Sequence, residues 1–194
     1  MFAQLTVLLR ITRAHLILRR YFVVNGFDGA LTMLGLLVGF YMSDEVSLFS
    51  MINACLAVAI ALGVSGITSA YFSEAAEKQA ELRELESAML ADLEESAYGR
   101  AARMLPFVIA FVNGLAPLLF SLIIMTPLWL KYSFAGLAIA PVETAIIVAA
   151  FVIFMLGVFL GRVSGVFWLW SGLRMLLVAV ITTGLIYLVS SSTY

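Results

Sequence analysis

Cysteine and histidine occur once each in this chain, as Cys55 and His15, and proline occurs four times. A lone cysteine excludes a disulfide framework and a cysteine-rich metal site. A lone histidine excludes a di-iron site built on paired Glu-x-x-His motifs. Charge is also scarce: 12% of residues are Asp, Glu, Lys or Arg, about half the usual share of a soluble domain. The formal net charge of −1 gives no attraction to nucleic acid. The phosphate loop G-x-x-x-x-G-K-[ST], the nucleophile elbow G-x-S-x-G and the zinc motif H-E-x-x-H are all missing, so neither an ATP-driven pump nor a membrane hydrolase is expected, and no enzymatic activity. The first residues lack a short apolar core followed by a small-residue cleavage site, so no cleavable signal peptide is expected either.

What the chain has in abundance is apolar surface. Hydrophobic residues make up 63% of it and its mean hydropathy is +1.09. Such a chain cannot cover itself with polar groups in water, but the composition suits a bilayer. The fold class predicted is all-α, an integral membrane bundle of five transmembrane helices forming one domain. Residues 1–20 read as an interfacial amphipathic helix, with Leu5, Leu8, Leu9, Thr12, Leu16 and Ile17 towards one side and Arg10, Arg13, Arg19 and Arg20 supplying a basic side. A loose N-terminal arm is the alternative. Spans one and two occupy residues 21–72, with span one over Tyr21–Met42 and span two from about Val46 to Phe72. Residues 73–103 are dense in Glu, Ala and Leu, contain no proline and only Gly99, and predict a helix continuing span two into the aqueous phase. Residues 104–194 hold span three (Leu105–Met125), span four (Pro141–Leu160) and span five (Val166–Val189), each about 20 residues and enough to cross about 30 Å of hydrocarbon.

Basic residues set the expected orientation. Arg10, Arg13, Arg19 and Arg20 precede span one, Lys78, Arg83, Arg100 and Arg103 lie between spans two and three, and Arg162 lies between spans four and five. The opposite side has Lys131 and an acidic Ser43-Asp44-Glu45 loop. The N-terminus and the acidic helix are therefore predicted to be cytoplasmic and the C-terminus outside.

Asp28 is the first candidate for chemistry. It lies in Asn25-Gly26-Phe27-Asp28-Gly29 inside span one, where a carboxylate costs at least about 2.5–3.5 kcal/mol on insertion scales. Asn25 at i−3, Thr32 at i+4, Gly35 and Gly39 share its helical face, a small and polar stripe suited to packing on another helix rather than on lipid. A carboxylate with amide and hydroxyl oxygens suits a hard divalent cation. The structural alternative is an Asp that caps a helix broken at the glycines or pairs with an arginine.

Glu74, Glu77, Glu81 and Glu84 are spaced 3, 4 and 3 and stack on one side of the predicted acidic helix. Asp92 and Glu95 return to that side if the helix persists. Like charges at these spacings repel by a few tenths of a kcal/mol per pair, which a bound divalent cation would relieve; a solvated helix surface is the equally weighted alternative. Leu82, Leu85, Met89 and Leu93 form a separate apolar stripe that fits packing on the same helix of a second subunit. In span three, Pro117 removes the hydrogen bond to the Asn113 carbonyl, so Asn113 could line a path or mark a packing kink. Gly63, Gly66 and Ala70 make a close-approach stripe on span two.

These segments resemble the vacuolar iron transporter family. Asn25-Gly-Phe-Asp28-Gly29-Ala-Leu-Thr32 is similar to the segment opening that family's first span. Ala61-Leu-Gly-Val-Ser65-Gly66-Ile-Thr-Ser-Ala70-Tyr71-Phe-Ser73-Glu74, running into a Glu-rich helix, is similar to its second span and exit. The resemblance implies a dimeric Fe²⁺ and Mn²⁺ transporter that exports metal from the cytosol in exchange for protons. It implies a pathway ligand at Asp28 and metal-binding glutamates at Glu74, Glu77, Glu81 and Glu84. Two departures stand out. Plant members carry a pathway methionine in the second span, and that register falls near Gly63 or Val64 here; Met33, five residues from Asp28, is a poor helical match. The acidic insertion is also shorter than the plant metal-binding domain, as in a compact prokaryotic branch.

The expected function is therefore Fe²⁺ or Mn²⁺ export by a homodimer in contact with membrane lipid, with no permanently bound cofactor. The transport pathway is assigned to Asp28, Asn25, Thr32 and Asn113, and Asn53 or Glu143 would extend it outward. The alternative is a non-transporting metal sensor or scaffold acting through the acidic helix.

Overall fold

The computed structural model describes residues 14–43, 46–130 and 140–191. Five helices carry them: α1 (Ala14–Tyr41), α2 (Leu48–Met89), α3 (Ala97–Trp129), α4 (Pro141–Ser164) and α5 (Trp168–Ser191), with no strand among the described residues. All five are long and apolar enough to cross a membrane. Large apolar side chains, including Phe49, Phe72, Phe111, Phe151 and Leu177, are exposed on the outer faces of the helices. Apolar surface on this scale is stable against lipid rather than water. The chain is a multi-pass helical membrane protein.

From Ala14, the first described residue, α1 runs unbroken into span one, so residues 14–20 belong to the same helix as that span. Residues 1–13 of the expected interfacial helix, with Arg10 and Arg13, lie outside the described residues, as do Asp44, Glu45 and Lys131.

Span two does continue into a projecting helix. α2 has 42 residues, about 63 Å at 1.5 Å per residue and twice the hydrocarbon thickness. Its charged end, from about Ser73, therefore stands beyond the bilayer. That helix does not reach residue 103. It ends at Met89, Leu90 adopts a left-handed φ of 50°, and a turn leads to a new helix at Ala97. Local side chains make the break by satisfying backbone N–H groups outside a helix. Glu86 Oε1 accepts the Leu93 N–H at 3.0 Å and Asp92 Oδ1 accepts the Glu94 N–H at 2.9 Å. Ser96 Oγ accepts the Gly99 N–H at 3.1 Å and so caps α3. Gly99 is required here: a Cβ would lie 2.4 Å from the Leu93 carbonyl oxygen. Asp92 and Glu95 sit in this turn and do not extend the acidic face.

The residues form two compact units. One comprises residues up to 25 together with 63–116. In it Leu105 and Ile109 of α3 are buried against Ile17, Leu18 and Tyr21 of α1. The α2 and α3 backbones touch, since a Cβ on Gly114 would lie 2.3 Å from the Gly63 carbonyl oxygen. The stripe of small residues read on α2 is thus an intrachain packing seam. The other unit comprises residues 26–62 and 117–194. Its core includes Met33, Leu37, Cys55, Ile124, Met125, Leu128 and Ile153. α4 and α5 approach closely at Gly157, where a Cβ would meet the Gly172 Cα at 2.7 Å. α4 begins with Pro141 and ends at Gly165, whose φ of 69° closes the helix without strain.

Candidate functional site

α1 runs unbroken through Asn25-Gly26-Phe27-Asp28-Gly29. The two glycines have a packing role instead of breaking the helix. A Cβ on Gly29 would lie 2.6 Å from Pro117 Cα, and one on Gly26 the same distance from the Phe120 ring. Asp28 is therefore not the cap of a broken helix. Nor does it pair with an arginine among the described residues, where Lys78–Glu81 is the only ion pair.

Asp28 is exposed, midway along a membrane-spanning helix. Val24 and Thr32, one turn to either side, are exposed with it. The Thr32 hydroxyl donates to the Asp28 carbonyl at 2.7 Å, leaving its oxygen free to accept. Further along, a Cβ on Gly39 would meet nothing within 4 Å and one on Gly35 only the tip of Ile186 at 3.4 Å. The stripe of small and polar residues is thus open surface in the single chain. Met33 lies on the opposite, fully buried side.

Asn25 does not join this open face. It is half-buried, its amide donating to the Tyr21 carbonyl at 3.0 Å and to the Asn113 side-chain oxygen. Asn113, 5% exposed, donates in turn to the Gly66 carbonyl at 2.7 Å. Three helices are tied together by two amides. A further set of hydroxyls, Ser65, Thr68 and Ser69 on α2, is exposed. Of the two outward candidates, Asn53 is exposed on α2. Glu143 accepts the Ala140 N–H at 3.3 Å and the Tyr41 hydroxyl at 3.4 Å at the start of α4.

The four stacked glutamates divide into two kinds. Glu74 is 5% exposed and accepts a hydrogen bond from the Tyr21 hydroxyl at 2.8 Å. Glu81 accepts from Lys78 Nζ at 2.7 Å and from the Tyr98 hydroxyl at 3.2 Å. Glu77 and Glu84 are exposed. Lys78 and Tyr98 lie beyond the apolar part of their helices. Burial lowers the Lys78 pKa, but the hydrogen bond and charge of Glu81 outweigh it and hold the ammonium above the ordinary lysine value. Burial, followed by the Glu81 charge and hydrogen bond, raises the Tyr98 phenol. Among the described residues no three His, Cys, Asp or Glu side chains gather in a metal-holding arrangement.

Sequence reading missed Tyr21 and Tyr98 as carboxylate partners. They lie 53 and 17 residues from the glutamates they bind, separations at which no sequence spacing gives a signal. Compared with known proteins, the chain matches no family model, and no curated protein or solved structure is similar to it.

Proposed function

We propose that this protein is a divalent transition-metal transporter, exporting Fe²⁺ or Mn²⁺ from the cytosol across the cytoplasmic membrane of a prokaryote, as a homodimer and in exchange for protons. The observation that carries the reading is Asp28, an exposed carboxylate midway along a membrane helix. Lipid is a poor neighbour for it. A second copy packed on the same small and polar stripe would shield it and set two carboxylates and two Thr32 hydroxyls face to face. Two such oxygen sets suit a hard divalent ion. That doubling also fits a single chain without a three-ligand cluster among its described residues. Protons and metal compete for one carboxylate, which gives a basis for antiport. The exposed Glu77 and Glu84 at the aqueous end of α2 would raise the local cation concentration. The test is Fe²⁺ and Mn²⁺ flux into proteoliposomes: wild type should carry both ions and Asp28→Ala neither.

One observation favours a second reading. Two of the four stacked glutamates already have partners within the chain, which fits a sensor or scaffold whose acidic helix serves structure first. Metal binding without flux would select it.

A further inference from the structure

From residue 144 to residue 194 the sequence contains two charged residues, Arg162 and Arg174, and no Asp or Glu. Arg162 closes α4 in its last turn. Arg174 lies on α5, whose apolar stretch is the least covered of the five by its own chain, at 11% buried. It stands six residues, about 9 Å, along the helix from Trp168. Its guanidinium lies 5.5 Å from the centre of the Trp170 ring, turned back towards the α4–α5 turn as a long basic side chain does near a membrane surface. The nearest acid in sequence, Glu143, is at the far end of α4, engaged with Ala140 and Tyr41. Trp170, Leu173, Leu177 and Val180, with Arg174, line a shallow groove of about 300 Å³ whose surface is almost wholly apolar.

We propose that this groove binds a phospholipid with an anionic headgroup, drawn from the leaflet that holds the α4–α5 turn. The guanidinium stays charged in any protein environment and carries five N–H donors. Contact with the indole face leaves those donors unused. A phosphate oxygen pair is the partner that a planar fork of donors takes bidentately, and a lipid phosphate is the acceptor present at this depth. One acyl chain lies along Leu173, Leu177 and Val180. The preference for net negative charge comes chiefly from the Arg174 charge itself, which no acid from residue 144 to residue 194 offsets, with Arg162 and the positive end of the α5 dipole at the same turn adding a smaller share. The inference rests on the membrane fold and is independent of metal transport.

The test uses the purified full chain in liposomes doped with brominated phosphatidylglycerol or brominated phosphatidylcholine. The bromines quench nearby tryptophan, and Trp170→Phe isolates the Trp170 signal. A charged hydrogen-bond pair predicts half-quenching at about tenfold lower mole fraction of the anionic lipid. The gap should close in Arg174→Gln and largely survive in Arg174→Lys, with helix content equal by circular dichroism. Equal quenching by both lipids in wild type would overturn the proposal, as would a gap that persists in Arg174→Gln. A Trp170 signal shielded from both lipids would assign the groove to a second copy and overturn it equally.

Discussion

The Tyr21 hydroxyl donates a 2.8 Å hydrogen bond to Oε1 of Glu74, joining α1 to the point where α2 leaves its apolar stretch. The carboxylate is buried, so removing the donor leaves it with an unmet acceptor. Tyr21→Phe should lower stability by about 1–3 kcal/mol, read as a fall in the thermal midpoint in detergent. Glu74→Gln keeps an acceptor for the phenol and should cost less. Equal midpoints for wild type and Tyr21→Phe would show that the bond contributes nothing.

The contact of α2 with α3 gives a sharper contrast. Gly114→Ala drives a methyl to within 2.3 Å of the Gly63 carbonyl oxygen and 2.4 Å of Ile67, and should destabilise by about 1–3 kcal/mol. Gly184→Ala meets nothing within 4 Å and should be neutral or stabilise by up to about 1 kcal/mol through helix propensity. Parallel melts of the two variants check this. Similar losses for both would mean that the helices do not approach at Gly114.

How far these features could be read beforehand follows from their range in sequence. The spans were legible because bilayer solvation acts on composition, and the continuation of α2 past Phe72 was legible because Glu, Ala and Leu favour helix without a break. The end of that helix at Met89 was not, because Asp92 and Ser96 work by local capping bonds that overrule propensity. Asp28 stands out by its charge alone, and Thr32, one turn on, is exposed on the same side. Spacing alone puts Asn25 on the same stripe, but its amide turns to Asn113, 88 residues away. A pairing of that range leaves no periodic trace.

The Glu81 cluster predicts a pH response. Lys78 and Tyr98 both have raised pKa values in the fold. For the lysine, the stabilisation is complete below its unfolded value, about 10.4, and is lost as pH rises through the folded value. For the phenol, the fold favours the neutral form, so ionisation above about pH 10 weakens the fold in the same direction. The contribution of this cluster to stability should therefore be flat through neutral pH and fall in the alkaline range. The phenolate absorbance of Tyr98, taken as wild type minus Tyr98→Phe, should titrate above an ordinary tyrosine. Glu81→Gln should bring it part of the way down, the share due to burial remaining, and an unchanged titration would remove Glu81 as a contributor.

The open stripe on α1 predicts where two copies meet. In a Cys55→Ser background, single cysteines at Val24, Asp28 and Thr32 should form cross-linked dimers in membranes. Met33→Cys, at a fully buried position, should not. A yield that follows the helical repeat of the exposed positions identifies the face. Uniform cross-linking at all four positions, or none at any, would argue against this interface.

The proposed route takes metal across the membrane past Asp28. Its most direct test is Mn²⁺ flux in proteoliposomes under an imposed pH gradient, comparing wild type, Asp28→Glu and Asp28→Asn. Flux in wild type should respond to the direction of the gradient, with reduced flux in Asp28→Glu and none in Asp28→Asn. Flux in Asp28→Asn equal to wild type, with the same response to pH, would contradict it.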